Sequence, residues 1–257
     1  MDWISDRKED DVPPRDDDLF KGAADYYELG RLPYSARLPE VLAKELGLGP
    51  GSVLADIGCG PGLVAVALAP FCGRVVGVDP DPDMLARGRR RDPSVTWIRA
   101  RAEELAFEPG ELDAAVFGRS FHWTDRALMA ARLRTFVRPG GHLVLVSEMH
   151  RPGRIPPGVK ELVAEFLGEY RVPRLGDEEE IIAAAGWRGP KRLTMRTAGT
   201  LTRDPETRIA EVYSMSSSTR HRFGARLPEF DRRLRALLSE PEVIPFPATL
   251  ARIWTNP

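Results

Sequence analysis

The sequence is poor in the residues that several protein classes require. Only two cysteines occur in 257 residues, Cys59 and Cys72, and their spacing gives neither a metal-ligand pattern nor a disulfide framework. No metal is therefore expected, and a reducing cytoplasm fits. No run of about 18 apolar residues exists to span a bilayer. The opening Met1-Asp2-Trp3-Ile4-Ser5-Asp6 lacks the basic and apolar regions of a signal peptide. Charge of one sign is also missing. The formal net charge is −1, so no global field points to nucleic acid or to an anionic membrane surface. Lysine is scarce beside arginine, while alanine, glycine and proline are plentiful, which reads as a GC-rich genome rather than an arginine-driven binding function. The densest basic run, Arg87-Gly88-Arg89-Arg90-Arg91, falls at a helix C-terminus, where the dipole favours cations. No aromatic stacking platform is interleaved with it.

What is present is a strand–helix alternation. Residues 1–20 are acidic and proline-rich and read as a solvated tail, with a lid over ligand as the lesser alternative. Residues 21–257 read as one domain, with a ligand-binding core over about 50–150 and substrate-side elements over 151–257. A helix over 36–47 ends at Gly47, a plausible C-cap. Strands follow at 52–57, 74–78, 95–98, 112–117 and 142–147, separated by helices at 63–69, around 84–86 and at 125–136. Continuous apolar strands between amphipathic helices indicate a parallel sheet covered on both faces. The last third gives helices at 158–170, 177–185, 204–215 and 227–238, and alternating strands at 192–197 and 246–254.

The strongest chemical signal is Asp56-Ile57-Gly58-Cys59-Gly60-Pro61-Gly62, where the first strand gives way to the first core helix. Glycines at every second position let backbone turn tightly and approach a ligand where a Cβ would clash. The helix that follows offers free N–H groups and a positive dipole end. A dinucleotide fingerprint read from Gly58 requires glycine at position 63, and that residue is Leu63. Asp79 ends the second strand about 20 residues after the loop, the separation of an acid that binds ribose hydroxyls.

These motifs, with Val78-Asp79-Pro80, Ala102-Glu103-Glu104-Leu105, Leu112-Asp113-Ala114-Ala115-Val116 and Arg138-Pro139-Gly140-Gly141, resemble the class I S-adenosylmethionine-dependent methyltransferases. The resemblance covers roughly residues 25–150. Tyr26-Tyr27, Arg31-Leu32-Pro33-Tyr34 and His122-Trp123 resemble the small-molecule branch that includes trans-aconitate methyltransferases. In that branch a Pro-x-Tyr-Pro segment is commoner than the Leu-Pro-Tyr-Ser found here.

The resemblance implies a Rossmann-like, seven-stranded, mostly parallel sheet. Its sixth and seventh strands would lie near 191–198 and 246–255, the last antiparallel, with helices 158–185 and 204–240 forming a cap. It implies S-adenosylmethionine as cofactor and S-adenosylhomocysteine as product. Asp56, Gly58, Cys59, Gly60 and Gly62 would hold the methionine end, with Arg31 facing its carboxylate and Gly118 and Arg119 beneath it. Asp79 would bind the ribose, Pro80 and Met84 would flank the adenine, and Ala102 and Glu103 would meet its edge.

The acceptor is expected to be a small molecule methylated at O, N or C. His122 is the candidate general base, its ordinary pKa suiting proton transfer near neutrality; packing of the loop is the competing reading. Tyr26, Tyr27, Tyr34, Phe121, Tyr213, His150 and His221 are candidates for the substrate pocket, and the Arg220-His221-Arg222 cluster for an anionic substrate. Three alternatives stay open: a non-methylating enzyme that uses the cofactor's charge, a catalytically silent cofactor-binding regulator, and an NAD-linked oxidoreductase. Oligomeric state is not legible.

Overall fold

The central strands are buried on both faces, as their continuous apolar runs predict, and successive side chains alternate between the two sides of the sheet. Leu54, Val75, Ala114, Val116 and Val144 pack on one face, and Ala55, Ile57, Val76, Val78, Ala115 and Phe117 on the other. Each fully buried aliphatic contributes on the order of 1.5–3 kcal/mol. The computed structural model describes residues 18–149, 158–168 and 176–257; His150 lies outside them. The parallel strands are β1 (Val53–Ile57), β2 (Arg74–Asp79), β3 (Thr96–Arg99), β4 (Leu112–Gly118) and β5 (Val137–Glu148). Two later strands, β6 (Arg188–Met195) and β9 (Thr249–Thr255), complete the sheet, whose order is β3-β2-β1-β4-β5-β9-β6. The strand β9 runs antiparallel to both neighbours. This is the expected Rossmann-like, seven-stranded architecture. The strand order reverses between β1 and β4, the switch point outside which ligands of open α/β sheets gather.

Helices α2 (Leu38–Leu46) and α3 (Leu63–Leu68) cover one face. The first ends at Gly47 in the left-handed conformation, φ 63°, as its sequence predicts. The other face carries α5 (Arg126–Phe136) and α7 (Glu178–Ala184). Asp125 caps α5 by accepting a hydrogen bond from the Leu128 amide at 3.0 Å. Placing α7 in the cap was incorrect. Ile182 is fully buried in the cluster formed by Met129, Ala130 and Leu133 of α5, and the Arg126–Asp177 ion pair closes the helix start onto α5.

The cap is built from α6 (Val159–Leu167), α8 (Pro205–Tyr213) and α9 (Leu227–Leu237). Its own apolar cluster includes Val163, Phe166, Tyr213, Phe230 and Leu234, with Phe223 stacked on Phe230 at 3.8 Å. Two elements were not anticipated. One is α1 (Ala24–Gly30), which lies so close to α8 that a Cβ on Gly30 would sit 2.3 Å from the Ala210 backbone. The other is a ribbon of β7 (Thr200–Arg203) with β8 (Glu242–Pro245). The helix α4 (Pro82–Arg91) follows β2, capped by Asp81, whose side chain accepts from the Asp83 and Met84 amides.

Candidate functional site

A cleft opens at the carboxyl ends of β1, β2 and β4, walled by the loop after each. Its lining includes Gly58 and Gly60 from the first loop, and Asp79, Pro80 and Asp81 from the second. Ala100 to Glu103 follow β3, and Arg119, Ser120, Trp123 and Thr124 follow β4. Leu19, Phe20, Tyr27 and Met84 close it, leaving a space of about 140 Å³.

The glycine loop is held from several sides. Gly58, Gly60 and Gly62 all have positive φ, at 65°, 55° and 80°, a region closed to most side chains. The Asp79 carboxylate accepts from the Gly60 amide at 2.8 Å through Oδ2 and from the Asp81 amide at 2.9 Å through Oδ1. A carboxylate oxygen offers about two acceptor positions, so each oxygen keeps capacity for one more donor. A vicinal pair of ribose hydroxyls supplies two such donors. Burial raises the Asp79 pKa to about 6, the neighbouring Asp81 charge adding to it against the two backbone bonds.

Several sequence-predicted residues lie behind this wall rather than in it. Asp56 is buried, and its Oδ2 accepts from the Ala65 amide at 2.8 Å, anchoring the first turn of α3. Burial raises its pKa to about 7. A Cβ on Gly62 would sit 2.3 Å from the Trp97 ring, so this glycine makes room for a tryptophan. Cys59 turns into the protein, its thiol pushed upward by burial. Gly118 lies against Val64 and Tyr34. Arg31 donates to the Ser214 carbonyl at 2.6 Å and stacks over Tyr27, joining α1 to the cap. None of these five groups lines the cleft.

Of the substrate candidates, Tyr27 alone among the described residues lines it. Phe121 packs edge-on against Phe117 in the core under the sheet. Tyr213 is fully buried in the cap, its hydroxyl donating to Asp231 at 2.8 Å. Tyr26 lies beside it, bonded to Arg220. Tyr34 lies under the Arg119 guanidinium. His221 is exposed, its Nδ1 2.9 Å from the Lys21 carbonyl oxygen. His122 follows β4 with its ring against Trp123, centroids 4.8 Å apart.

The structure also adds residues that motif reading passed over. Phe20 meets Trp123 edge-on at 5.7 Å and roofs the cleft, so Leu19 and Phe20 belong to the site rather than to a solvated tail. Ser120 donates to the Ile57 carbonyl at 2.5 Å, and a Cβ on Gly58 would lie 2.5 Å from the Ser120 Cβ. Only contact across the β1–β4 switch reveals that pairing. Phe20 did carry a faint signal, a lone aromatic closing an acidic run.

Residues 55–145 match the family model of the methyltransferase domain. That segment holds the β1 loop, Asp79 and the β4 exit, so the match covers the cleft walls other than Leu19, Phe20 and Tyr27. A methyltransferase of Mycobacterium tuberculosis without an assigned reaction is 34% identical over 127 residues, covering 49% of this chain and 51% of the relative. The 2-phytyl-1,4-naphtoquinone methyltransferase of Trichormus variabilis is 30% identical over 154 residues, covering 55% and 66%. The chain spans about half the length of the curated relatives it matches first. Among solved structures, a Haemonchus contortus phosphoethanolamine N-methyltransferase, in complex with phosphomonomethylethanolamine and S-adenosylhomocysteine, superposes with a TM-score of 0.56. It is 20% identical, with coverage of 93% of this chain and 57% of that one. The fold is that of the class I methyltransferases. Among the described residues no group of His, Cys, Asp or Glu is arranged to hold a metal, and no helix is long and apolar enough to cross a membrane.

Proposed function

We propose that this chain is an S-adenosylmethionine-dependent methyltransferase that methylates an oxygen, nitrogen or carbon atom of a small metabolite. The observation that carries the reading is the joint geometry of Gly58, Gly60 and Asp79, a cradle with two unused acceptor positions beside Cβ-free backbone. When bound, the cofactor supplies a sulfonium-activated methyl group, so the protein's main task is alignment of an acceptor.

In this reading Asp79 accepts the ribose hydroxyls through charge-assisted bonds, and Pro80 and Met84 flank the adenine. Ala102 and Glu103 meet its edge through backbone, because the Glu103 carboxylate already accepts from the Asp125 amide at 2.7 Å. Phe20 and Trp123 exclude water from above. Tyr27, which lines the cleft, would contact the acceptor, and His122, beside Trp123 and not among the cleft-lining residues, is the proposed base. An imidazole nitrogen of His122 takes the proton when that acceptor is a hydroxyl or a protonated amine, and a carboxylate acceptor needs no base.

The Trichormus relative, named for a naphtoquinone, supports a small-molecule acceptor. The Tyr26-Tyr27, Arg31 and His122-Trp123 segments support the small-molecule branch that includes trans-aconitate methyltransferases, while the GC-rich composition supports a place in bacterial specialised metabolism and the scarcity of cysteine a cytoplasmic setting. The test is incubation with methyl-deuterated cofactor and a small-molecule extract of the source organism, read by mass spectrometry. A labelled product that appears with the wild-type chain and is lost with Asp79→Ala is the expected result. Cofactor consumption without label in any product would instead indicate non-methylating chemistry.

A further inference from the structure

A second cavity adjoins the cleft at the ends of β2 and β3. It measures about 400 Å³ and shares Pro80, Asp81, Ala100 and Arg101 with the cleft, so the same residues wall both spaces. Its other walls include Pro82 and Asp83 at the start of α4, Arg99 at the end of β3, Glu104 just beyond it, and Lys21. The strand β3 is outermost in the sheet, and its Thr96, Ile98 and Arg99 are exposed. Among the described residues, no strand closes the cavity from outside.

With a ribose held by Asp79 at the end of β2, the attached base runs outward over Pro80 and Met84 to Ala102 and Glu103, past the end of β3. The exocyclic N6 amine stands at the end of an adenine remote from its ribose. Both acids that follow β3 are engaged elsewhere. The Glu103 carboxylate accepts from the Asp125 amide at 2.7 Å, and the Glu104 carboxylate accepts from the Arg101 amide at 3.2 Å. The amine is left to backbone acceptors, which need only one of its hydrogens. The walls limit what can replace the other. Four of the ten lining residues are acidic and three basic, so a charged group meets both signs. Pro80, Pro82 and Ala100 offer apolar surface, and Lys21 and Arg99 bring cations suited to an aromatic face. A cavity of about 150 Å³ already admits a benzene ring, and this one is larger.

We propose that this cavity is a subsite for a neutral aromatic group carried on N6 of the adenine, so that the chain takes N6-substituted forms of its cofactor as well as the plain one. This rests on the cofactor reading above. The experiment is calorimetric titration with S-adenosylhomocysteine and with its N6-benzyl derivative, on the wild-type chain and on Asp83→Trp. Asp83 is exposed and lines the second cavity but not the cleft. Its bond to the Asp81 cap uses the backbone amide, so the indole narrows only the outer space. The wild-type chain is expected to bind the two ligands within about tenfold of each other. Asp83→Trp is expected to weaken the benzyl derivative at least about fivefold relative to S-adenosylhomocysteine, whose own affinity changes by less than about twofold. Wild-type binding of the benzyl derivative weaker than that tenfold window overturns the proposal. A smaller or reversed shift of the ratio in Asp83→Trp also overturns it, because the benzyl group then lies outside the cavity. If the wild-type chain binds neither ligand, the cofactor reading itself fails, which is a distinguishable result.

Discussion

Asp79 does two jobs with one carboxylate, fixing the Gly60 and Asp81 amides and presenting its remaining acceptor capacity to the cleft. Only the ionised form serves a ribose well, and burial raises its pKa to about 6. The sign follows: ligand affinity is full above that value and falls as pH drops through it, by up to about tenfold per unit below. Titrations of S-adenosylhomocysteine from about pH 5 to about pH 8 check this, and Asp79→Asn is expected to bind more weakly with a flat profile. A flat wild-type profile alongside tight binding counts against the ribose role. Asp79 was legible in the sequence because its spacing from Gly58 and Gly60 is local to one strand–loop–strand unit. Ser120 was not, since its contact with Gly58 is made across the β1–β4 switch, 62 residues away in sequence number (120 − 58). Asp56 and Gly62 illustrate the converse. The motif contains them, but the structure uses one to hold α3 and the other to admit Trp97.

The segment from Asp18 to Ala23 is the element whose role depends most on tertiary context. Phe20 packs with Ala23, Ala24, Met84 and Tyr27 and meets Trp123 across the cleft. Removing an aromatic roof forfeits part of its burial and the edge-on contact. Phe20→Ala is therefore expected to weaken S-adenosylhomocysteine roughly five- to tenfold, with the ligand-free melting temperature lowered by only about 2–6 °C. Fluorescence titration and a thermal melt give both numbers. An unchanged affinity would return the segment to the role of a tail. Composition made it look solvated because it begins in an acidic run, Asp16-Asp17-Asp18, and one aromatic gives no periodicity to read. The same limit hid α1 and the β7–β8 ribbon. Thr200–Arg203 is four residues long, and its partner lies beyond α8 and α9. By contrast α5 was readable from its Asp125 cap, and α2 from its terminal glycine. The misplacement of α7 came from grouping consecutive helices, whereas Ile182 follows the apolar face of α5.

At the scale of the molecule, seven strands and two covered faces hold three loop ends around one cleft, with a cap that has its own aromatic core. The sheet was legible because buried parallel strands read as continuous apolar runs. The packing of the cap was not, because it joins elements far apart in sequence, such as α1 against α8. A ligand that binds only the assembled cleft must stabilise the whole chain. At about a hundred times its dissociation constant, S-adenosylhomocysteine is expected to add about 2.7 kcal/mol, raising the melting temperature by roughly 5–10 °C. The most direct test of the central claim is an isothermal titration of the wild-type chain with S-adenosylhomocysteine and, separately, with NAD. The account predicts saturable binding of S-adenosylhomocysteine at one site per chain, abolished by Asp79→Ala, and no binding of NAD. Tight NAD binding with none of S-adenosylhomocysteine would contradict it.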